Sequence, residues 1–226
     1  MRVLVVTAVS AEADAVDAVD AVDAASGGLD AVDVLAAGVG PAAAASGTAR
    51  ALALASAASA PYDLVVSAGI GGGFQPLAPV GSLVVADAIV AADLGAETPE
   101  GFVPVDELGF GRTVHRPPPE QAARIAGLLD AVLAPVLTVS TVTGSASRTA
   151  ELTARHPRAA AEAMEGFGVA EAAAMYSVPV LEIRAISNAV GPRDRSAWRI
   201  GPALDALRYA FQQLSPVFEE SPWQTP

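Results

Sequence analysis

Short runs of Val, Leu and Ile, each of strand length, alternate along this chain with alanine-rich stretches of helical length. The runs 3–8, 32–36, 64–67, 82–91, 136–142 and 179–186 read as strands, and 11–25, 120–134, 149–155, 166–176 and 203–214 as helices. A further alanine-rich helix follows Gly38-Val39-Gly40-Pro41 and ends near Pro61. Pro117, Pro118 and Pro119 stop one segment and prepare the helix start at 120. Strands that alternate with helices throughout specify a layered α/β domain. At 226 residues the chain suits one such domain and can bury a large core. The expectation is a single domain over 1–226, three αβα layers around a central mixed, largely parallel sheet. Ligands of such sheets collect beyond the carboxyl ends of the strands. The residues just after each strand are therefore the ones to read for chemistry.

Composition removes several kinds of function. Hydrophobic residues make up 52% of the chain, but much of that is alanine. The longest uncharged stretch, 64–86, contains Gly69, Gly71, Gly72, Gly73, Pro76 and Pro79, which no membrane-spanning helix would tolerate together. Arg2 leads directly into Val3-Leu4-Val5-Val6 with no cleavage signal, so a cytoplasmic protein is expected. The net charge is −12, with 25 acidic residues against 13 basic ones, which argues against a nucleic-acid surface. No cysteine is present, so disulfides, thiolate catalysis and zinc-thiolate sites are excluded. The two histidines, His115 and His156, stand far apart in sequence, which speaks against a histidine metal site or triad. Asp14, Asp17, Asp20 and Asp23 form a slowly drifting stripe that reads as a solvated helix face. Chemistry is left to carboxylates, amides and arginines.

Glu12 lies where the chain leaves the first strand and enters a helix. There it can serve the helix dipole or a ligand. The glycines 69–73 let backbone approach a ligand closely, or turn the chain. Gly38-Val39-Gly40-Pro41-Ala42-Ala43 fits a G-x-G-x-x-A dinucleotide fingerprint. Its expected acid, Asp63, precedes the next strand instead of following it, at the wrong edge of the sheet for a ribose. Arg184 sits inside an apolar strand, where an unpaired charge is costly, so it needs a carboxylate partner or an anionic ligand. Asn188 stands at the end of that strand and offers a donor and an acceptor in one plane.

Glu12, 38–43, the glycine run 69–73, Met164-Glu165 and Arg184-Ala185-Ile186-Ser187-Asn188 occur in an order that resembles the purine nucleoside phosphorylase and methylthioadenosine nucleosidase superfamily. The resemblance extends over nearly the whole chain. The stretch 164–198, with Pro192-Arg193-Asp194 and Trp198 after Asn188, is similar to the futalosine hydrolase branch, which serves menaquinone biosynthesis. Asp93-Leu94-Gly95-Ala96-Glu97 and Glu107-Leu108-Gly109 are similar to it as well.

The resemblance implies hydrolysis of the N-ribosidic bond of a 6-oxopurine nucleoside, futalosine, with neither metal nor organic cofactor. It implies that Glu12 activates the water, that Met164 and Glu165 contact the ribose, and that Arg184 holds water and orients carboxylates. It places Gly72 beside sugar and base, Val142 and Thr143 at the base, and Asn188 at the leaving group. Arg193, Arg195 or Arg199 is left to pair with the carboxylate of the substrate's benzoate, or to be solvated. A homodimer or higher homo-oligomer is also implied.

These residue types suit the reaction. Positive charge builds on the ribose and negative charge on the departing purine, so carboxylates and donors are needed at opposite ends. Between Arg2 and Arg50 the chain has no Lys or Arg to hold phosphate, so water is the expected nucleophile. The Asn188 amide donates where N7 and a 6-oxo group both offer acceptors, which favours hypoxanthine over adenine. A phosphate-dependent phosphorylase, an adenine-type nucleosidase and a nucleoside-binding protein are the alternatives.

Overall fold

The computed structural model describes residues 1–23 and 32–218. In chain order its elements begin with β1 (Val3–Thr7), α1 (Ser10–Asp23), β2 (Val32–Ala36), α2 (Pro41–Ala57), β3 (Leu64–Gly73) and β4 (Leu83–Ala91). The next are β5 (Gly95–Thr98), β6 (Gly101–Pro104), β7 (Val114–His115), α3 (Pro119–Leu128), β8 (Val132–Thr138) and α4 (Ala146–Arg155). The last are β9 (Ala161–Ala163), α5 (Gly166–Met175), β10 (Val180–Ala189) and α6 (Ile200–Phe218).

The β-branched run of β1 lies between β2 and β3, parallel to both, with Val3 opposite Val32 and Leu64. Beyond β3 the sheet continues through parallel β10 and antiparallel β4 to parallel β8 and β9. β9 then returns to pair antiparallel with the far end of β3, so this half of the sheet closes on itself. β7 pairs with β4, and β5 with β6 forms a separate hairpin.

Alternation along the strands supplies two cores. Val3, Val5, Leu64, Val66, Leu181 and Ile183 pack with α1, α3 and α6, where Leu207 and Leu214 are fully buried. Leu4, Val6, Val65, Val84 and Val136 pack on the other face with α2 and α5. Each large aliphatic side chain so buried contributes about 1.5–3 kcal/mol. The three-layer α/β architecture with a mixed, mainly parallel sheet is as the sequence implies. Asp14 and Asp17 are exposed as expected, and the side chains of Asp20 and Asp23 lie outside those described. Among the described residues no helix is long and apolar enough to cross a membrane.

Two expectations need correction. The glycines 69–73 do not turn the chain, because β3 runs on to Gly73. They are small where neighbours crowd in: a Cβ on Gly73 would collide with the Ala78 carbonyl, and one on Gly71 would lie 2.9 Å from the Glu162 carbonyl. The helix expected over 120–134 ends at Leu128, and β8 starts at Val132 instead of 136. Asp130, at φ 49°, breaks the helix. A proline cannot donate to a ladder, which hides a strand that contains one. Here β4 shifts register between Ala86 and Ile89, opposite Pro135, and absorbs the missing donor. The hairpin, β7 and three-residue β9 carry no pattern that foretold them.

Candidate active site

Arg184 is 1% exposed and organises one end of the site. Its neighbours Ile183 and Ala185 belong to the α1–α3–α6 core, so Arg184 and Glu182 share the opposite face of β10. The guanidinium Nε donates to Glu182 Oε1 at 2.9 Å and Nη2 donates to Ser67 Oγ at 2.8 Å. Nη1 lies 3.6 Å from Glu165 Oε2 and has no hydrogen-bond acceptor among the described residues. Burial alone pushes the guanidinium down, but the carboxylates of Glu182, Glu165 and Glu12 outweigh it and hold it above its ordinary value. Of the two readings left open by the sequence, the internal carboxylate partner is present, and one nitrogen is left without an acceptor among the described residues.

The flanking carboxylates are fixed by backbone. Glu12 Oε2 accepts from the Ala8 and Val9 N–H groups at 3.0 and 3.3 Å, and Oε1 accepts from Ile70 N–H at 2.9 Å. The side chain therefore serves the start of α1 and also reaches across to β3. Glu165 Oε1 accepts from Gly40 N–H at 3.1 Å and Oε2 from Met164 N–H at 3.2 Å. A Cβ on Gly69 would fall 2.6 Å from Glu12 Oε1 and 2.8 Å from Arg184 Nη1, so these two groups flank one point on β3.

The turn at 38–40 thus binds a carboxylate of its own chain, with Gly38 and Gly40 at φ 102° and 91°. Asp63 accepts from Arg2 N–H at the amino ends of β1 and β3, far from any ligand at their carboxyl ends. The dinucleotide reading therefore lacks its ribose partner.

Farther along β3 lies a second cluster. Arg184 is registered with Gly69 and Asn188 with Gly72, which puts the two clusters about 10 Å apart along the strand at 3.3 Å per residue. Asn188 follows a register shift in β10; its Oδ1 accepts from Ser187 Oγ at 2.9 Å and its Nδ2 donates to the Ala189 carbonyl at 3.0 Å. A pocket of about 170 Å³ is lined by Asn188, Val142, Thr143, Arg193 and Trp198, among others. A Cβ on Gly72 would lie 3.3 Å from Asn188 Nδ2. The Arg193 guanidinium stacks 5.4 Å over the Trp198 ring. Arg199 Nη1 donates to the Ser196 carbonyl at 3.3 Å, and Arg195 belongs to a short 3₁₀ turn.

The structure thus groups Glu12, Met164, Glu165 and Arg184 at one end, and Gly72, Val142, Thr143, Asn188 and Arg193 at the other. It also adds two buried acids that the sequence reading passed over. Glu182 is fully buried, and desolvation pushes its carboxyl up against the opposing pull of Arg184. A Cβ on Gly166 would strike its oxygens, which explains a glycine at the start of α5. Glu162 accepts from the Thr143 N–H at 2.8 Å and from the Thr143 hydroxyl. Burial pushes its carboxyl up as well, partly countered by those two bonds. Glu182 shares the apolar strand in which a charge singled out Arg184, whereas Glu162 lies on β9, which no sequence pattern foretold.

The histidines lie elsewhere: His115 Nε2 meets Glu171 Oε1 at 2.7 Å and its ring packs on Phe167, while His156 caps α4. Among the described residues no group of three or more His, Cys, Asp or Glu is placed to hold a metal ion.

Known proteins resemble this chain in sequence and fold. Residues 6–213 fit the family model described as the phosphorylase superfamily. The chain is 60% identical over 228 residues to futalosine hydrolase of Streptomyces coelicolor, covering 97% of each. It is 46% identical over 232 residues to futalosine hydrolase of Acidothermus cellulolyticus, covering 93% of this chain and 89% of that one. The solved native structure of futalosine hydrolase of Helicobacter pylori superposes with a TM-score of 0.75 at 16% identity, over 96% of this chain and 97% of that one. A methylthioadenosine/adenosylhomocysteine nucleosidase of Colwellia psychrerythraea, solved with adenine, gives 0.72 at 22% identity, over 95% and 96%. The last two establish the fold. By its match over 6–213 and its 60% identity across nearly the whole chain, this protein belongs to the phosphorylase superfamily and, within it, to the futalosine hydrolase family.

Proposed function

We propose that this chain hydrolyses the N-ribosidic bond of futalosine, releasing hypoxanthine and dehypoxanthinyl futalosine as a step of menaquinone biosynthesis. One observation carries the mechanism: Arg184 Nη1, a buried donor with its two sister nitrogens committed, stands beside the Glu12 and Glu165 carboxylates. In this reading Nη1 and Glu12 hold a water, and Glu12 takes its proton as it attacks the anomeric carbon. Glu165 accepts from the ribose hydroxyls, Met164 packs against the sugar, and both carboxylates favour the positive charge that develops there. Phosphate would meet the same carboxylates and be repelled, which supports water as nucleophile. Gly72 and the Val142–Thr143 segment flank the base. Asn188 Nδ2 donates toward N7 and O6 of the leaving base, and an amide does this without giving up a proton. Arg193, beside that pocket, offers its charge to an anionic part of the substrate.

The same proposal treats residues 1–226 as one nucleosidase domain that works in the cytoplasm as a homodimer or higher homo-oligomer. Leu94, Leu108, Phe110 and Val114 are exposed along one segment, an apolar stretch of the kind that copies of a chain bury against each other. Light scattering of the purified protein measures that state. Incubation with futalosine, inosine and methylthioadenosine, with release of each base followed by chromatography, tests the activity. Futalosine is expected to turn over fastest. A preference for methylthioadenosine would replace this reading with an adenine-type nucleosidase.

A further inference from the structure

Glu162 takes no part in the mechanism above, yet it is 4% exposed and bound to a residue that lines the base pocket. Its Oε1 accepts from the Thr143 N–H at 2.8 Å and its Oε2 meets the Thr143 hydroxyl. Both donors of Thr143 therefore point inward, away from any base. The Val142–Thr143 peptide is trans, because the only cis bond among the described residues is Gln75–Pro76. In a trans peptide the N–H and the preceding C=O point to opposite sides. Turning the Thr143 N–H toward Glu162 thus turns the Val142 carbonyl outward, on a segment whose residues line the pocket with Asn188.

We infer that Glu162 is a positioning residue for base specificity: by holding Thr143 it makes the pocket present a carbonyl acceptor, which selects a purine whose ring edge carries an N1–H donor. A 6-oxopurine has that proton and adenine does not; adenine N1 is itself an acceptor and would face the carbonyl without a proton between them. Asn188 supplies donors at the other side of the base, so the two sides match the lactam edge of hypoxanthine together. The device is insensitive to the ionisation of Glu162. A protonated carboxyl can donate from Oε2 to the Thr143 hydroxyl while Oε1 still accepts the N–H. β9, which carries Glu162, and β10, which carries Asn188, pair with the same end of β3, so a single frame sets both sides of the pocket.

This inference rests on the proposed nucleosidase activity and is tested apart from it. The measured quantity is the ratio of kcat/KM for inosine over adenosine, with the Kd of free hypoxanthine and adenine by calorimetry. Wild type is expected to favour the 6-oxopurine in both, with the two Kd values deciding where neither nucleoside turns over; no hypoxanthine release from futalosine itself, or a preference for adenosine, overturns the activity reading. Glu162→Val removes the acceptor and should cut the preference by about tenfold or more, the size expected of one mismatched buried hydrogen bond. Glu162→Gln keeps an acceptor for the N–H and a donor for the hydroxyl, so it should retain the preference to within about threefold, well under one such bond. Should Glu162→Val fail to fold by circular dichroism, Glu162→Asp is read in its place. Its carboxylate is one methylene too short to span both Thr143 donors. An equal loss on both nucleosides, with the ratio and the two Kd values unchanged, would show that Glu162 merely braces the loop and would overturn the inference. So would loss of the preference in Glu162→Gln.

Discussion

Arg184 has three nitrogens, and each does something different: one is tied to Glu182, one to Ser67, and one faces the paired carboxylates of Glu12 and Glu165. Removing the guanidinium strands Glu182, which is fully buried and has no other ion-pair partner among the described residues. Breaking a buried pair from one side costs about 3–5 kcal/mol. Arg184→Met should therefore lower the melting temperature by roughly 2–4 °C for each kcal/mol lost, together with loss of turnover. A variant of unchanged melting temperature would mean that Glu182 is neutral and content without its partner. Glu12→Gln makes the complementary case, since it keeps the size and the acceptor for Ile70 N–H but removes the base. Its kcat should fall by roughly 10²–10⁴ with nucleoside binding preserved, as titration calorimetry would report. Near-normal kcat would reduce Glu12 to a helix-end residue.

His156 provides a pH signature independent of the site. Burial pushes its imidazole below the ordinary 6.5, and Arg155 and Arg148 push the same way. Between the native value and 6.5 the unfolded chain binds more protons than the folded one, so stability rises with pH through that window and is lost as pH falls through it. Melting temperature should accordingly drop between about pH 7 and 5, and His156→Gln should flatten part of that slope. Identical slopes in the two proteins would contradict the assignment.

At the scale of elements, β3 does most of the positioning. One half of it pairs with β1, and the other half carries Gly69 against Glu12 and Arg184 and Gly72 against Asn188. Gly69→Ala would push a methyl group between Glu12 Oε1 and Arg184 Nη1, both side-chain atoms that can yield. The fold should survive and kcat should collapse by about 10² or more, as displacement of a water-holding pair predicts. An active Gly69→Ala enzyme would mean that these two groups need not stay together. The same strand shows where the sequence is silent. A glycine that frees the backbone to turn and a glycine that makes room for a neighbour are the same letter, so 69–73 read as a turn. β1 and β2, plain runs of Val and Leu, were legible to within a residue, and α5 too. Glu12 and Arg184 stood out because one follows an expected strand and the other interrupts one, and Glu165 stood out only through the family resemblance. Glu162 and Glu182 were not, since their meaning depends on Thr143 and Gly166, which are close only in space.

For the molecule as a whole, the closed half of the sheet brings segments from β3, β9 and β10 to one edge and aligns a carboxylate end with a base end. A net charge of −12 and the carboxylates around Arg184 make that edge unwelcoming to a second anion beyond the substrate's own. The central claim is that water, not phosphate, cleaves the bond. Its most direct measurement is the rate of hypoxanthine release from futalosine by the purified protein, with phosphate rigorously removed and then restored. Full activity without phosphate, dehypoxanthinyl futalosine as the sugar product and no acceleration on adding phosphate are the predicted results. Release that begins only when phosphate is added, with a ribosyl phosphate as product, would contradict it.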